Sequence, residues 1–270
     1  MFDLVTNTVS LPEDKLSALH ALLAEWLIRE TASVRDLASL AGRLLFASRV
    51  VHPGRLFLNR VLATKRRATF INGPTILDSA FKADIAWWQS SLTLTNGISF
   101  LEFTPTVEVS MDASSDGWYE GLPGLAGINH STGDYFACPP PAHLLHLGIA
   151  DLELLCHLIV ARLWGHQWSG IQVTGHTDNQ ATWHLLRRGR SRVDIRLRMA
   201  RTFATLQLEQ KFSWNSAWIS THDNILPDAL SRAGSKHYRE VFSKHCATLG
   251  LRPRHCRVTL EMFMFDSSSI

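Results

Sequence analysis

A short alternating run, residues 107–114 (VEVSMDAS), most constrains how this chain can fold. Alternation of apolar and polar residues is typical of a β-strand whose two faces meet different surroundings. Val109 and Met111 lie on one face of such a strand, and Asp112 lies on the other. The polar residues 114–117 then break the pattern. We therefore expect a strand that carries the Asp112 carboxylate to the end of a sheet.

The first ninety residues have instead the spacing of amphipathic helices. Residues 10–13 (SLPE) and 33–36 (SVRD) have the form of capped helix starts, with Ser10 and Ser33 as the caps. Residues 52–54 (HPG) are expected to end the second helix, because proline and glycine interrupt helical hydrogen bonding. Two more helices are predicted, one from residue 55 towards 65 and one around residues 81–88. No nucleophile, metal cluster or phosphate loop is indicated here.

The helical pattern changes between Thr93 and Pro105, where we place a domain boundary. The predicted organisation is a helical domain over residues 1–98 and a second domain over residues 99–235. Residues 236–270 are predicted to form a C-terminal helix and a disordered tail.

Composition is compatible with a folded protein that binds nucleic acid. Of the 270 residues, 46% are hydrophobic, which suffices for a sizeable core, and the net charge of +3 permits a polyanionic partner. The four cysteines have no CxxC spacing, which favours a reducing compartment. We recognise no signal peptide and no membrane span, so we expect an intracellular protein, cytoplasmic or nuclear.

Four acidic residues recur at the edges of predicted elements in the second domain. Asp112 is followed by two short strands, Glu153 lies on a long helix, Asp178 ends the strand over residues 171–177, and Asp228 lies in the first turn of a helix. Each has a structural alternative. Asp112 is compatible with a turn, Glu153 with a solvent-facing position, Asp178 with a helix N-cap, and Asp228 with the favourable end of a helix dipole.

The order of elements is strand, strand, strand, helix, strand, helix, helix, strand, helix. This order, together with the positions of the four acids on it, resembles the ribonuclease H fold. Residues 110–114 (SMDAS), 177–179 (TDN) and Asn224, four residues before Asp228, carry this resemblance. It implies an α/β fold with a five-stranded mixed sheet flanked by helices. It also implies that Asp112, Glu153, Asp178 and Asp228 are catalytic and bind two Mg²⁺ ions, with Mn²⁺ as an alternative.

The sequence looks most like the ribonuclease H region of retrotransposon polyproteins of the DIRS group. Residues 151–155 (DLELL), 176–182 (HTDNQAT) and 223–232 (DNILPDALSR) carry this likeness, and residues 51–55 (VHPGR) are similar to the thumb and connection segment of those elements. No Tyr-x-Asp-Asp polymerase motif occurs. The resemblance thus implies the downstream part of a reverse transcriptase, which cuts the RNA strand of an RNA:DNA hybrid and has the polymerase part as a partner.

Further residues are candidates for substrate handling. By the same resemblance, Asn179 and Asn224 are expected to contact nucleic acid, and His222 is the candidate for helping product leave. An arginine run predicts a phosphate-binding surface, with an ordinary solvated helix face as the alternative. Its members are Arg187, Arg188, Arg190 and Arg192, followed by Arg196, Arg198 and Arg201. Trp183 is expected in the core.

Other functions are open to test. A non-catalytic nucleic-acid-binding relic or recruited module would keep the fold without turnover, and an integrase-like or transposase relative would transfer DNA strands. A zinc site is not favoured, because Cys138, His143 and His146, and the His-Cys pairs at 245–246 and 255–256, do not have the paired spacing of structural zinc sites.

Overall fold

The computed structural model describes residues 1–5, 7–51, 53–99 and 107–265. These residues form two compact units, residues 1–99 and residues 107–265. Residues 100–106, within the expected boundary region, and the predicted tail from 266 to 270 lie outside the described residues. The division into a helical domain, a second domain and a C-terminal segment stays a prediction.

The first unit consists mainly of helices, which are joined by short strands. The helices are α1 (Glu13–Ile28), α2 (Val34–Ala47), α3 (Asn59–Ile71) and α4 (Ser79–Leu94). The strands are β1 (Phe2–Asp3), β2 (Thr8–Val9), β3 (Thr31–Ala32), β4 (Thr75–Ile76) and β5 (Ile98–Ser99). Strands β1, β2 and β5 form one antiparallel sheet, and β3 pairs with β4.

Local capping explains where two of these helices begin. The capping box predicted at Ser33 is confirmed, since its hydroxyl accepts a hydrogen bond from the Asp36 amide and the Asp36 carboxylate accepts one from the Ser33 amide. The cap predicted at Ser10 is wrong, because α1 begins after Pro12. The backbone of Ser10 is hydrogen-bonded to Met1 instead, in the β1–β2 hairpin.

The second unit is a six-stranded mixed sheet with helices packed on it. Its strands are β6 (Val107–Ser114), β7 (Gly124–Asn129), β8 (Asp134–Cys138), β9 (Gln172–Thr177), β10 (Ser213–Trp218) and β11 (Arg254–His255). Its helices are α5 (Ile149–Trp164), α6 (Gln180–Arg188), α7 (Asp194–Gln210), α8 (Ile225–Ser231) and α9 (Lys236–Thr248).

The strand order is β10-β9-β6-β7-β8-β11. Strands β6, β7 and β8 are antiparallel neighbours, whereas β9 runs parallel to β6 and β10 parallel to β9. The predicted order of elements is confirmed, and so is the predicted α/β class with a mixed sheet flanked by helices. Strand β11 makes six strands where five were expected.

Strand β11 is held to the sheet by its backbone pairing and by the side chain of Arg254. It runs parallel to β8, and the Arg254 guanidinium donates two hydrogen bonds to the Asp134 carboxylate, at 2.7 and 2.9 Å. Two residues are too few for a detectable alternation. The sequence pattern therefore contains no sign of this strand.

Strand β6 is central, and helices cover both of its faces. Helix α5 packs against one face and α8 against the other, so that residues 109–114 are all buried. The expectation that the two faces differ in their surroundings holds only partly, because the face of Asp112 is covered by α8. No helix among the described residues is long and apolar enough to cross a membrane.

Candidate active site

Three of the four predicted acids converge in the second unit. One carboxylate oxygen from each of Asp112, Glu153 and Asp178 lies within 4.8 Å of the others. Asp112 comes from β6, Glu153 from the first turns of α5, and Asp178 directly follows β9. Because β6 and β9 are parallel neighbours, their carboxyl ends meet at one edge of the sheet.

Asp112 is held in an environment that disfavours its charge. It is 6% exposed, and burial raises the pKa of this carboxyl to about 7, helped by the negative charges of Asp178 and Asp228. The Ser231 hydroxyl opposes this rise by donating a hydrogen bond of 2.7 Å to Asp112 Oδ2. A cation among these groups would therefore favour the carboxylate form.

Glu153 is buried as well, which excludes the solvent-facing alternative. It is 7% exposed, and burial raises its pKa to about 8, with Asp112 and Asp178 adding to the rise. The side-chain amide of Asn179 donates a hydrogen bond of 3.2 Å to Glu153 Oε1, and the Thr177 hydroxyl lies 3.5 Å from Glu153 Oε2. Both donors lower the pKa of Glu153 and orient its two oxygens.

Asp178 does not cap the helix that follows it. The N-cap of α6 is Asn179, whose Oδ1 accepts hydrogen bonds from the amides of Ala181 and Thr182. Asp178 Oδ2 accepts from the Thr221 hydroxyl at 2.8 Å, while its Oδ1 is buried and has no hydrogen-bond partner in the described part of the chain. One buried oxygen of Asp178 thus remains for a ligand.

Asp228 lies close to this group without joining it. It is in the first turn of α8, as predicted, and its charge contributes to the raised pKa of Asp112. Its Oδ1 accepts a hydrogen bond of 2.7 Å from Arg232 Nε, one turn further along. The structure therefore brings Asp228 near Asp112 and pairs it with an arginine.

The donor set fits a hard divalent cation. All the converging ligand atoms are carboxylate oxygens, which Mg²⁺ and Mn²⁺ prefer over the nitrogen and sulfur ligands typical of zinc. The like-charge repulsion between Asp112 and Glu153, and the unpartnered Asp178 oxygen, are both relieved by a cation. Asp112, Glu153 and Asp178 are the residues that would hold it.

The other predicted site residues have different surroundings. Asn179 is occupied with the α6 cap and Glu153. Asn224 is 1% exposed and its amide donates to the Met111 carbonyl at 3.1 Å, which ties the start of α8 to β6. His222 is exposed in the turn between β10 and α8. Their roles towards nucleic acid and product stay predictions.

The arginine run divides into an exposed and an engaged part. The exposed members are Arg187, Arg188, Arg190 and Arg192, which lie at the end of α6 and in the following loop. In α7, Arg196 pairs with Asp151 and Arg198 lies 3.2 Å from Asp194, while Arg201 is only 4% exposed. Only the first four are thus placed to meet a large ligand.

Trp183 is half-buried rather than fully in the core. Its Nε1 donates to the Ser216 carbonyl at 3.1 Å, and the Arg187 guanidinium lies 4.9 Å from its ring. The expectation of a core position is therefore only partly met.

Sequence reasoning missed the residues that support the acids. Ser231 and Arg232 stand three and four residues after Asp228, a spacing that places them on one side of a helix, so this signal was present. Thr221 reaches Asp178 from a turn 43 residues away. No local pattern indicates that contact.

No protein-family model matches this sequence, and no curated protein matches it. Among solved structures, ribonuclease H1 from the halophilic archaeon Halobacterium salinarum has 15% identity and a TM-score of 0.37, covering 47% of this chain and 96% of that one. A foamy viral protease-reverse transcriptase (dRH) in complex with double-stranded DNA has 11% identity and a TM-score of 0.30. That match covers 77% of this chain and 35% of the viral chain.

Proposed function

We propose that this chain is a metal-dependent endonuclease that hydrolyses the RNA strand of RNA:DNA hybrids, as part of a retrotransposon reverse transcriptase of the DIRS type. The observation that carries the proposal is the convergence of the Asp112, Glu153 and Asp178 carboxylates within 4.8 Å, at the end of two parallel strands. We assign Asp228, which lies beside this group and raises the pKa of Asp112, as the fourth member of the site.

The chemistry needs charge compensation at a phosphodiester. Asp112, Glu153, Asp178 and Asp228 would hold two Mg²⁺ or Mn²⁺ ions, which would supply activation of a water on one side of the scissile bond and stabilisation of the leaving oxygen on the other. The protein's part is to hold ligands in place. Ser231 orients Asp112, Asn179 orients Glu153, and Thr221 orients Asp178.

Substrate binding is assigned to the exposed arginines Arg187, Arg188, Arg190 and Arg192. They begin about 12 Å along α6 from Asn179, given the rise of about 1.5 Å per helical residue. A phosphate backbone bound at the three acids would come within reach of them if it runs along α6. Such contacts are independent of sequence and weaken with salt.

The test is cleavage of a hybrid that carries a labelled RNA strand. Wild-type protein with Mg²⁺ is expected to cut the RNA, EDTA is expected to stop cleavage, and Asp112→Asn is expected to be inactive. The matched control is Glu108→Gln, which changes an exposed acid on the same face of β6 and is expected to retain activity. Equal cleavage by wild type and Asp112→Asn would overturn the proposed site.

One observation favours the second candidate, a nucleic-acid-binding module without turnover. Asp228 is paired with Arg232 at 2.7 Å instead of joining the other three acids. This candidate predicts hybrid binding with no cleavage in Mg²⁺ or Mn²⁺. Duplex DNA and single-stranded RNA are assayed in parallel. Joining of DNA strands would indicate a DNA strand-transfer enzyme, which neither candidate predicts.

A further inference from the structure

A second concave site adjoins Asp228. It is an open cavity of about 350 Å³ between the residues that follow β6 and the start of α9, lined in part by Asp116, Trp118, Arg232 and Tyr238. This volume is within the range of about 300–1,000 Å³ that is common for ligand sites. The link to the acids is Arg232, whose Nε donates to Asp228 Oδ1.

The walls of this cavity are set by two glycines. A Cβ at Gly117 would lie 2.9 Å from Arg232 Cα, and a Cβ at Gly234 would lie 2.6 Å from the backbone carbon of Trp118. The Gly234 amide also donates to the Gly117 carbonyl at 3.2 Å. The two loops therefore touch backbone to backbone, which preforms the cavity.

The lining combines a planar cation with aromatic rings. The Arg232 guanidinium lies 5.6 Å from the centre of the Tyr238 ring. A guanidinium has five N–H donors in a fork, so Arg232 can hold Asp228 and bind a second oxyanion at the same time. Aromatic side chains such as Trp118 offer a surface on which a nucleic-acid base stacks. A phosphate-binding cation beside an aromatic ring is the combination that recognises a nucleotide.

We propose that this cavity binds one nucleotide of the strand that is cut, with its phosphate on Arg232 and its base against Trp118. The inference rests on the proposed function and adds a subsite to it. Because Arg232 contacts Asp228, the bound nucleotide lies beside the scissile phosphate. Asp116 and the Ser235 hydroxyl, which also line the cavity, supply hydrogen-bonding groups for its sugar or base.

Binding is measured first in EDTA, where no cleavage occurs, by fluorescence anisotropy of a labelled RNA:DNA hybrid. Trp118→Ala is expected to weaken binding by about fivefold to 140-fold, the range expected from stacking one base on an aromatic ring. Phe70→Ala removes an aromatic ring that is 91% exposed on α3, outside this cavity, and is expected to bind as wild type does. Circular dichroism confirms that each variant is folded.

The second arm locates the phosphate. Hybrids with a single neutral methylphosphonate at successive positions of the cut strand are bound to wild type and to Arg232→Gln. At one position the methylphosphonate is expected to weaken binding to wild type. The same substitution is expected to have no effect on binding to Arg232→Gln. The proposal is overturned if no position behaves in this way, or if Trp118→Ala binds normally.

The two arms also separate this subsite from the proposed function. A position-specific loss in a protein that binds but never cleaves supports the subsite and contradicts the nuclease activity. Cleavage by wild type with no Arg232-dependent position supports the nuclease and overturns the subsite. Failure to bind any hybrid overturns both.

Discussion

The Ser231 hydroxyl donates a hydrogen bond of 2.7 Å to Asp112 Oδ2, although the two residues are 119 positions apart. Ser231 is fully buried at the end of α8, and Asp112 is 6% exposed on β6. The bond favours the ionised form of Asp112 and so lowers its pKa, against the larger rise that burial causes. Helix α8 therefore contributes a hydrogen bond that lowers the pKa of an acid on the central strand.

Ser231→Ala is expected to shift the pH dependence of cleavage. Without the donated hydrogen bond the pKa of Asp112 rises further, so the acid limb of the kcat/KM profile moves to higher pH. Ser131→Ala, in an exposed turn, is the control and is expected to leave the limb in place. An unmoved limb in Ser231→Ala would contradict the coupling.

Asp112→Asn is expected to stabilise the metal-free protein at alkaline pH. A carboxyl whose pKa is raised on folding contributes stability below its unfolded value near 4, and this contribution is lost as the pH rises through its folded pKa of about 7. The variant cannot ionise. Its free energy of unfolding should exceed that of wild type by on the order of 2 kcal/mol at pH 8, with no gain near pH 4.

Urea unfolding in EDTA at several pH values measures this difference. Glu240→Gln changes an exposed acid on α9 and is expected to follow the wild-type pH dependence. The same pH slope in wild type and Asp112→Asn would show that Asp112 ionises normally.

Metal binding is expected to distinguish Asp228 from the other three acids. Mn²⁺ should raise the melting temperature of wild type and of Asp228→Asn, because the converging carboxylates that would hold the cation are those of Asp112, Glu153 and Asp178. Asp112→Asn should lose this rise in melting temperature. Asp228→Asn should keep the rise and lose cleavage. Loss of the Mn²⁺ shift in Asp228→Asn would place Asp228 among the primary ligands.

The salt dependence of hybrid binding is expected to separate exposed from engaged arginines. Removing one phosphate contact with Arg188→Gln or Arg190→Gln should lower the slope of log K against log salt by about one. Arg196→Gln is the matched control: it breaks the pair with Asp151 and should lower stability without changing the slope. If wild type and all three variants have equal slopes, the arginines form an ordinary solvated helix face and do not bind phosphate.

A single methyl group is expected to disturb the packing of α8 on the sheet. A Cβ at Gly124 would lie 1.8 Å from the Ser231 carbonyl oxygen, so Gly124→Ala must displace α8 or β7. We expect a loss of about 1–3 kcal/mol in the free energy of unfolding, together with reduced cleavage. Gly148→Ala, whose Cβ would meet only the Asp151 carboxylate at 3.7 Å, is the control.

Local patterns were sufficient for several parts of the structure. The capping box at Ser33, the helix around Phe81 and Trp88, and the strand carrying Asp112 follow from spacings within a few residues. Strand β11 did not follow from local spacing, because it depends on pairing with β8. The uncapped start of α1 did not follow either, because Ser10 is hydrogen-bonded to Met1 in a hairpin.

The amino-acid sequence by itself determined the order of strands and helices and the four acids to consider. Those features depend on side-chain periodicity and on short motifs, which act over a few neighbouring residues. Only the tertiary structure decided that Glu153 is buried, that Thr221 reaches Asp178, and that Ser231 donates a hydrogen bond to Asp112. Burial and these hydrogen bonds depend on atoms that are distant along the chain, and in this protein they shift the pKa values of Asp112 and Glu153.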